Sequence, residues 1–502
     1  MQTELQKSLK IVFSTLEEKE KFEHASRLIG FDEQTICPPK AMENQGKTIA
    51  FLTNQAFKLT KSPEFISAAE NLFARREELN LPECLLAEGL HRDYLQSKNI
   101  TSELDEKFSL ILNQAFVDWL NAKNKADFSL FADSLEKVRW VNLKQIELSE
   151  NSFATPYDHL LQVYERGITT QDLDFCFDAC KERLIPLLKK IQKSPRKISA
   201  DFLTEFAAVD AQEKLAKKLL QKIGFDFSRG TFSTSEHPFT DGIALDDARL
   251  TTNYDEHLLM SNIFSILHEG GHALFEQNQP AEDFVYHLTG FKTLGQHESV
   301  SRFYENRIGR SREFCSQLFE ELKISFPQIF ANRTAEELYD AVNLVTPSLI
   351  RIEADEFTYT FHIIIRYEME KMIVNENVKI QDLLKIWADK YEEYLDIRPE
   401  NDREGILQDV HWASGFGYFP TYALGNMYGA MYFNKMQEEF DVHEAIAQSD
   451  LKKINHWMQE NVWKSANRLA PKEWIKNITG REFTPQDFLD YLEKKYSEIY
   501  GV

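Results

Sequence analysis

Apolar side chains recur every three to four positions along most of the chain, a period typical of amphipathic helices. The pattern predicts a mainly α-helical protein. No Pro-, Gly- or Ser-rich linker interrupts it, which favours a single domain over residues 1–502. The predicted helical stretches are residues 2–28, 42–60, 64–97, 101–124, 127–151, 169–193, 200–222, 255–278, 295–324, 335–345, 354–374, 380–395, 421–437, 441–461 and 484–499.

One region breaks the helical pattern. It consists of short segments rich in Thr, Ser and β-branched or aromatic residues, separated by turn-forming residues. This composition predicts a small antiparallel sheet directly before the helix at residues 255–278. A strand beside that helix could bind a peptide backbone by strand addition. The segments are residues 230–235, 242–245 and 251–252.

The helix at residues 255–278 contains the pentad His268-Glu269-Gly270-Gly271-His272. Because positions i and i+4 lie on one face of a helix, both imidazoles can bind one ion while Glu269 reaches a water bound to it. This layout is typical of zinc hydrolases. The alternative is that His268 and His272 are ordinary polar positions on a half-buried helix.

The same helix has a candidate N-cap and two unusual interior residues. Asp255 is the expected N-cap. Gly270 and Gly271 each cost about 1 kcal/mol relative to Ala in a helix interior. We interpret them as room for the close approach of a backbone or a substrate.

A catalytic zinc ion needs three protein ligands and an open position for water. The best third ligand is Glu298, on a second helical pattern that begins at residue 295. This spacing allows a helix, a loop and a return helix packed against the first. His297 is a rival, but adjacent helix positions point in different directions, so only one of the two is expected to face the metal. We choose Glu298.

Composition excludes several classes of function. The formal net charge of −22 argues against binding nucleic acid or an anionic membrane surface. With no run of about 18 apolar residues and no charged-then-apolar leader, the chain is expected to be soluble and, by default, cytoplasmic.

The five cysteines form no CxxC pair and no even disulfide framework. We expect reduced thiols, with Cys176 and Cys180 buried. The spacing argues against a structural zinc site built from cysteine.

Six spaced motifs together resemble the carboxypeptidase Taq family, the thermostable metallocarboxypeptidases. The resemblance covers most of the chain and also includes the early stretch from Leu160 to Gly167. In chain order the motifs are His237-Pro238-Phe239, Asp247-Ala248-Arg249-Leu250-Thr251, the pentad, His297-Glu298-Ser299, Ile350-Arg351-Ile352-Glu353-Ala354-Asp355 and Gly405-Ile406-Leu407-Gln408-Asp409-Val410-His411-Trp412.

The resemblance implies an almost wholly helical homodimer whose two helical lobes flank a deep groove. It implies removal of C-terminal residues from peptides with broad specificity. The metal would be zinc, with cobalt as a substitute. His268, His272 and Glu298 stand at the family's metal ligands, and Glu269 stands at its catalytic base.

A hydrolase of this kind also needs a donor for the oxyanion. His411, Tyr418 and Tyr422 lie on a Gly-rich stretch that we expect to be non-helical, where side chains can approach a reacting group. We favour Tyr422 and His411 as donors and place Tyr418 among the substrate-binding residues. Aromatic packing is the alternative for each tyrosine.

An exopeptidase must also recognise a free carboxylate, which a guanidinium binds in a bidentate manner. We prefer Arg351, expected near a mobile, solvent-facing helix entry. Arg249 is the second candidate, although beside Asp247 it could equally belong to a structural ion pair. His237 either lines the groove or hydrogen-bonds within its turn.

Three acidic residues of the later motifs are expected to orient metal-bound histidines or to be structural rather than catalytic. They are Glu353, Asp355 and Asp409. Two other classes of function stay open: an endo-acting zinc oligopeptidase without a carboxylate anchor, and a non-catalytic helical scaffold.

Overall fold

The computed structural model describes residues 3–502, so the first position of the stretch expected at residues 2–28 lies outside it. Within residues 3–502 the chain forms 22 α-helices and three strands, which confirms the mainly α-helical class. The helices are Glu4–Thr35 (α1), Met42–Thr60 (α2), Pro63–Ala74 (α3), Leu81–Ser97 (α4), Ser102–Lys125 (α5), Ser129–Leu148 (α6), Pro156–Tyr164 (α7), Thr170–Lys193 (α8), Val209–Ile223 (α9), Leu259–Gln277 (α10), Ala281–Val285 (α11), Leu294–Arg302 (α12), Arg312–Ser325 (α13), Pro327–Phe330 (α14), Ala335–Val342 (α15), Tyr359–Asn375 (α16), Leu383–Leu395 (α17), Pro420–Glu439 (α18), Val442–Ala447 (α19), Leu451–Met458 (α20), Pro471–Thr479 (α21) and Gln486–Tyr500 (α22).

Several predicted stretches are divided. The stretch at residues 295–324 becomes α12, a π-helical turn at Phe303–Gly309 and then α13. The short helices α7, α11, α14 and α21 were not predicted. The longest of them, α7 and α21, have only 9 residues each and begin with a proline, so the sequence offers few turns of periodicity to recognise.

The expected N-cap of α10 is wrong. The helix begins at Leu259, and its N-cap Leu258 makes no side-chain capping bond. Asp255 instead accepts a hydrogen bond from the backbone N–H of His257 at 2.7 Å, which closes a turn before the helix. Packing of the apolar side chains against the core stabilises this helix start instead of a cap.

The small sheet lies where the sequence predicted it, but it is mixed. Its strands are Gly230–Thr234 (β1), Thr240–Ala244 (β2) and Asp247–Thr252 (β3), in the order β1-β3-β2. The β2–β3 pair is antiparallel as expected, whereas β1 and β3 are parallel. The loop after β1 crosses over so that β2 pairs with the far edge of β3. Strands β2 and β3 pack against α10.

The buried apolar residues form two clusters, in agreement with two helical lobes. The larger cluster runs from Ala115 to Tyr500. The smaller one joins α1, α3 and α4 through side chains such as Val12, Phe65 and Leu86. A cavity of about 940 Å³ lies between α1, α3 and α4 on one side and α7 on the other, and the loop at residues 287–293 also lines it.

The cysteines are free thiols, as predicted, and Cys176 and Cys180 are buried. Burial raises the pKa of Cys180 to about 12, so this thiol stays protonated. None of the helices within residues 3–502 combines the length and apolar composition that crossing a membrane requires.

Candidate metal centre and active site

Close packing around three glycines brings the metal-binding side chains together. A Cβ at Gly271 would lie 2.8 Å from the Cα of Ser301 and 2.9 Å from the carbonyl oxygen of Val300, so glycine lets α12 approach α10. A Cβ at Gly425 would lie 2.9 Å from Cγ of Glu298, so α18 closes on α12 from the other side. Gly270 faces the side chain of Ile223 on α9. Neither glycine of the pentad therefore meets a substrate.

His268, His272 and Glu298 converge on one point. Their ligand atoms all lie within 4.8 Å of one another. Oε2 of Glu298 is 3.6 Å from Nε2 of His268 and 3.3 Å from Nε2 of His272. Two ligands that each lie about 2.0–2.1 Å from a tetrahedral ion are separated by about 3.3 Å. The donor set and its spacing therefore fit one zinc-sized ion.

A carboxylate and a guanidinium hold the ligands on the His268 side. Nδ1 of His268 lies 2.9 Å from Oε2 of Glu305, on the π-helical turn after α12. Arg302 donates to Oε1 of Glu298 at 2.7 Å and to Glu305 at 3.1 Å. Burial alone would raise the pKa of Glu305, but the Arg302 charge and the His268 hydrogen bond lower it to about 2. Glu305 therefore stays ionised and orients His268.

On the other side, His272 contacts the rival ligand His297 instead of a carboxylate. Their Nδ1 atoms are 2.5 Å apart, and Nε2 of His297 lies 2.7 Å from Oε1 of Glu276. Lys292 lies 3.3 Å from the same Glu276 oxygen. His297 thus links the ligand His272 to Glu276, and Lys292 continues this chain of contacts.

Glu269 is buried beside the ligands and contacts the sheet. The hydroxyl of Thr240, the first residue of β2, donates to Oε2 of Glu269 at 2.7 Å. No Lys or Arg within residues 3–502 forms an ion pair with this carboxylate. Glu269 is therefore held by a neutral partner, the hydroxyl of Thr240.

The segment from His411 to Tyr422 is only partly non-helical. His411 begins a short 3₁₀ turn and Tyr418 lies in a loop, but Tyr422 stands in the first turn of α18. The Tyr422 hydroxyl is 3.4 Å from Nε2 of His411, and the Tyr418 and Tyr422 ring centroids are 5.4 Å apart.

Buried Glu370 on α16 anchors this segment. It accepts hydrogen bonds from Nε1 of Trp412 at 2.8 Å and from the backbone N–H of Gly417 at 3.0 Å. Gly417 has a φ of 99°. A Cβ there would lie 3.1 Å from the Leu160 carbonyl, so the turn requires glycine.

Arg351 is not at a mobile, solvent-facing helix entry, because it is only 6% exposed. Its Nη2 and Nε donate to Oδ1 of Asp409 at 2.8 and 3.1 Å, and its Nη1 donates to the Tyr359 hydroxyl at 3.1 Å. Asp409 also accepts from Arg366 at 2.6 Å. The Arg351 guanidinium lies 5.0 Å from the Tyr422 ring centroid. Asp409 thus neutralises two buried arginines rather than orienting a histidine.

The remaining motif residues have no hydrogen bond or ion pair with the metal ligands within residues 3–502. Arg249 forms a bidentate pair with Asp247, with both distances 2.8 Å. His237 is exposed in the loop between β1 and β2, where its carbonyl accepts a hydrogen bond from Ser235 at 2.6 Å. Asp355 accepts from the backbone N–H groups of a turn before α16, including Thr358 at 2.9 Å. Glu353 is exposed.

A profile described as the carboxypeptidase Taq (M32) metallopeptidase family matches residues 12–496, nearly the whole chain. The chain belongs to this family. A metallocarboxypeptidase activity follows, and the endo-acting alternative is not favoured. The chain is therefore an enzyme and not a non-catalytic scaffold.

Curated and solved carboxypeptidases agree with this assignment over nearly their full lengths. The chain is 36% identical over 490 residues to Carboxypeptidase 1 of Bacillus subtilis, covering 97% of this chain and 98% of that one. It is 34% identical over 479 residues to Thermostable carboxypeptidase 1 of Pyrococcus furiosus, covering 94% and 95%. The solved M32 carboxypeptidase of Deinococcus radiodurans superposes with a TM-score of 0.95 at 30% identity, covering 99% and 100%.

Several residues around the centre of this metallocarboxypeptidase were missed from sequence, among them Arg302, four positions after Glu298. Glu276 lies four positions after His272, and Glu305 lies seven after Glu298. Both spacings return to the same helix face, so a search for partners of the ligands could have found them. Thr240 and Glu370 carry no such local signal, because they approach the site from a strand and a distant helix.

Proposed function

We propose that the chain releases C-terminal amino acids from peptides with broad specificity, using one zinc ion bound by His268, His272 and Glu298. The observation that carries this proposal is the convergence of three ligand atoms within 4.8 Å beside Glu269. Two imidazole nitrogens and a carboxylate oxygen suit zinc and leave a position for water. Imidazole and carboxylate donors also suit cobalt, which we expect to substitute.

Glu269 acts as general base and then as general acid. When bound, zinc lowers the pKa of a water ligand and polarises the scissile carbonyl. Glu269 takes the water's proton and passes it to the leaving amine. The hydrogen bond from Thr240 occupies Oε2 and leaves Oε1 of Glu269 for the water.

Tyr422 and His411 are our candidates for stabilising the oxyanion. Burial raises the pKa of Tyr422 well above its usual range, which keeps its hydroxyl able to donate. Burial lowers the pKa of His411 to about 4, so a neutral imidazole stands beside that hydroxyl. Nδ1 of His411 is buried without a partner among residues 3–502. Tyr418, packed against both rings, is a candidate substrate contact.

Arg351 remains our candidate for the substrate's C-terminal carboxylate. Its bonds to Asp409 and Tyr359 leave one N–H on each terminal nitrogen without a protein partner, and two such groups suit a carboxylate. The Tyr359 ring lies 4.3 Å from the guanidinium of Arg302, which binds the ligand Glu298. This short path supports a carboxylate site close to the metal.

Arg249 and His237 are further candidates for the substrate-binding surface, on the sheet beside α10. The bidentate pair with Asp247 favours a structural role for Arg249. The exposed side chain of His237 is open to a peptide.

We also propose one catalytic domain over residues 1–502, acting as a homodimer in the cytoplasm. A row of exposed apolar side chains on one face of α5 supports the dimer, because such a row is a common interface feature. The row consists of Leu110, Phe116, Val117 and Leu120, which are 63%, 50%, 56% and 44% exposed.

The decisive experiment compares wild type with Glu269→Gln on matched peptides with free and amidated C-termini, with metal content measured in each. We expect stoichiometric zinc in both proteins, with hydrolysis of free C-termini by wild type alone. Comparable turnover by the variant would contradict the role of Glu269. Equal cleavage of amidated and free peptides by wild type would contradict a carboxylate anchor.

A further inference from the structure

Basic side chains outnumber acidic ones in the lining of the cavity of about 940 Å³ between the lobes. Seven of its lining residues are Lys or Arg and four are Asp or Glu. The chain as a whole has a net charge of −22. A concave surface with excess positive charge in an acidic protein concentrates anionic ligands.

Two arginines from different elements contribute to this excess. Arg92 extends from α4 and forms a long ion pair with Asp93, whose Oδ1 is 3.9 Å from Nε of Arg92. Arg166 follows α7 and forms no ion pair or hydrogen bond with any residue in the range 3–502. Burial, and next the charge of Arg92, lower the pKa of Arg166. The pKa of Arg166 is lowered although the charges of Glu473, Asp93 and Glu88 act to raise it, so these carboxylates offset the positive charge of the two guanidinium groups only in part.

The cavity adjoins the metal centre. Its lining includes Lys292, which pairs with Glu276 of the His272–His297 contact chain. It also includes Tyr164, whose ring centroid lies 5.3 Å from that of Tyr418. Arg351, our candidate for the C-terminal carboxylate, does not line it. If Arg351 holds the C-terminal carboxylate, the peptide residues before the scissile bond need a separate space. This cavity offers that space.

We infer that Arg92 and Arg166 form a subsite for an acidic side chain of the peptide, upstream of the scissile bond. The inference rests on the proposed carboxypeptidase function. A carboxylate between two guanidinium groups accepts charge-assisted hydrogen bonds that a neutral amide cannot match. The cavity lies within the range of about 300–1,000 Å³ that ligand pockets occupy, which is room for a short peptide segment.

The test uses N-terminally blocked pentapeptides that share one C-terminal residue and carry Glu or Gln at each upstream position in turn. For wild type we expect kcat/KM to favour Glu by about fivefold at one position, and added salt to reduce this ratio. Arg166→Gln and Arg92→Gln should bring the ratio toward 1, and Arg166→Lys should restore part of it. Lys98→Gln is the control, because Lys98 lines the same cavity but is already paired with Glu150 at 2.6 Å.

A wild-type ratio near 1 at every position would overturn the inference, as would arginine variants that keep the wild-type ratio. Calorimetric binding of the same peptides to Glu269→Gln gives a second ratio that does not depend on turnover. If no peptide is hydrolysed but the Glu peptide still binds more tightly through Arg166, the proposed activity fails and the subsite stands.

Discussion

The imidazoles of His272 and His297 meet at their Nδ1 atoms, which are 2.5 Å apart. One of these nitrogens must donate and the other must accept. If His272 binds a metal through Nε2, its proton resides on Nδ1, so His297 accepts there and carries its own proton on Nε2. That Nε2–H then donates to Glu276 at 2.7 Å. Burial, and next the neighbouring His272, lower the pKa of His297 to about 4, consistent with a neutral acceptor.

This relationship predicts that His297 sets metal affinity through its acceptor nitrogen. His297→Leu should weaken zinc binding by about 10- to 100-fold, the usual effect of losing such a partner. His297→Asn should retain most of the affinity, because the amide oxygen can accept in place of Nδ1. Chelator competition measures the zinc Kd, and the visible spectrum of cobalt-loaded protein reports ligand geometry. Equal losses in both variants would show that ring shape matters instead of the acceptor.

Thr240 should affect catalysis without affecting the metal. Thr240→Val keeps the side-chain shape but removes the hydrogen bond to Glu269, and bonds to charged groups contribute about 1.5–3 kcal/mol. We expect kcat/KM to fall by about tenfold or more, with unchanged zinc content. Thr231→Val, at an exposed position of the neighbouring strand β1, is the control. Loss of zinc from Thr240→Val would mean that the strand positions the ligands and not the base.

The homodimer should depend on the apolar row of α5. Leu120→Glu places a charge in that row and should yield monomers by sedimentation velocity. Phe175→Glu is the matched control, because Phe175 is an exposed apolar side chain, 61% exposed, on a different helix. If Leu120→Glu remains a dimer, the interface does not lie at the apolar row of α5.

The ligands could be predicted from sequence because their signal is local. His268 and His272 are one helical turn apart, and Glu298 follows on α12. The environment of Arg351 could not be predicted, since its partner Asp409 lies 58 positions away and only the fold brings the two together. The parallel pairing of β1 with β3 could not be predicted either, because it depends on the path of the loop between β1 and β2. Side chains that arrive from other elements, such as Thr240, were therefore missed.

Gly271 links the packing of the fold to the metal site, and its replacement tests that link. In Gly271→Ala the gain in helix propensity is about 1 kcal/mol. Against it, the new Cβ would meet the backbone of Ser301 at 2.8 Å, and overpacking of this kind costs about 1–3 kcal/mol. Because a helix backbone cannot rotate away as a side chain can, α12 must shift and carry Glu298 with it. We expect a lower free energy of unfolding and weaker zinc binding.

The control for Gly271 is Gly30→Ala on α1, where a Cβ would have no atom within 4 Å. There only the propensity acts, so the free energy of unfolding should rise by about 1 kcal/mol while the zinc Kd stays unchanged. Denaturant unfolding of the metal-free proteins and chelator competition provide the two measurements. Should Gly271→Ala behave like Gly30→Ala, α12 would not be held against α10 at this glycine, and the position of Glu298 would need another cause.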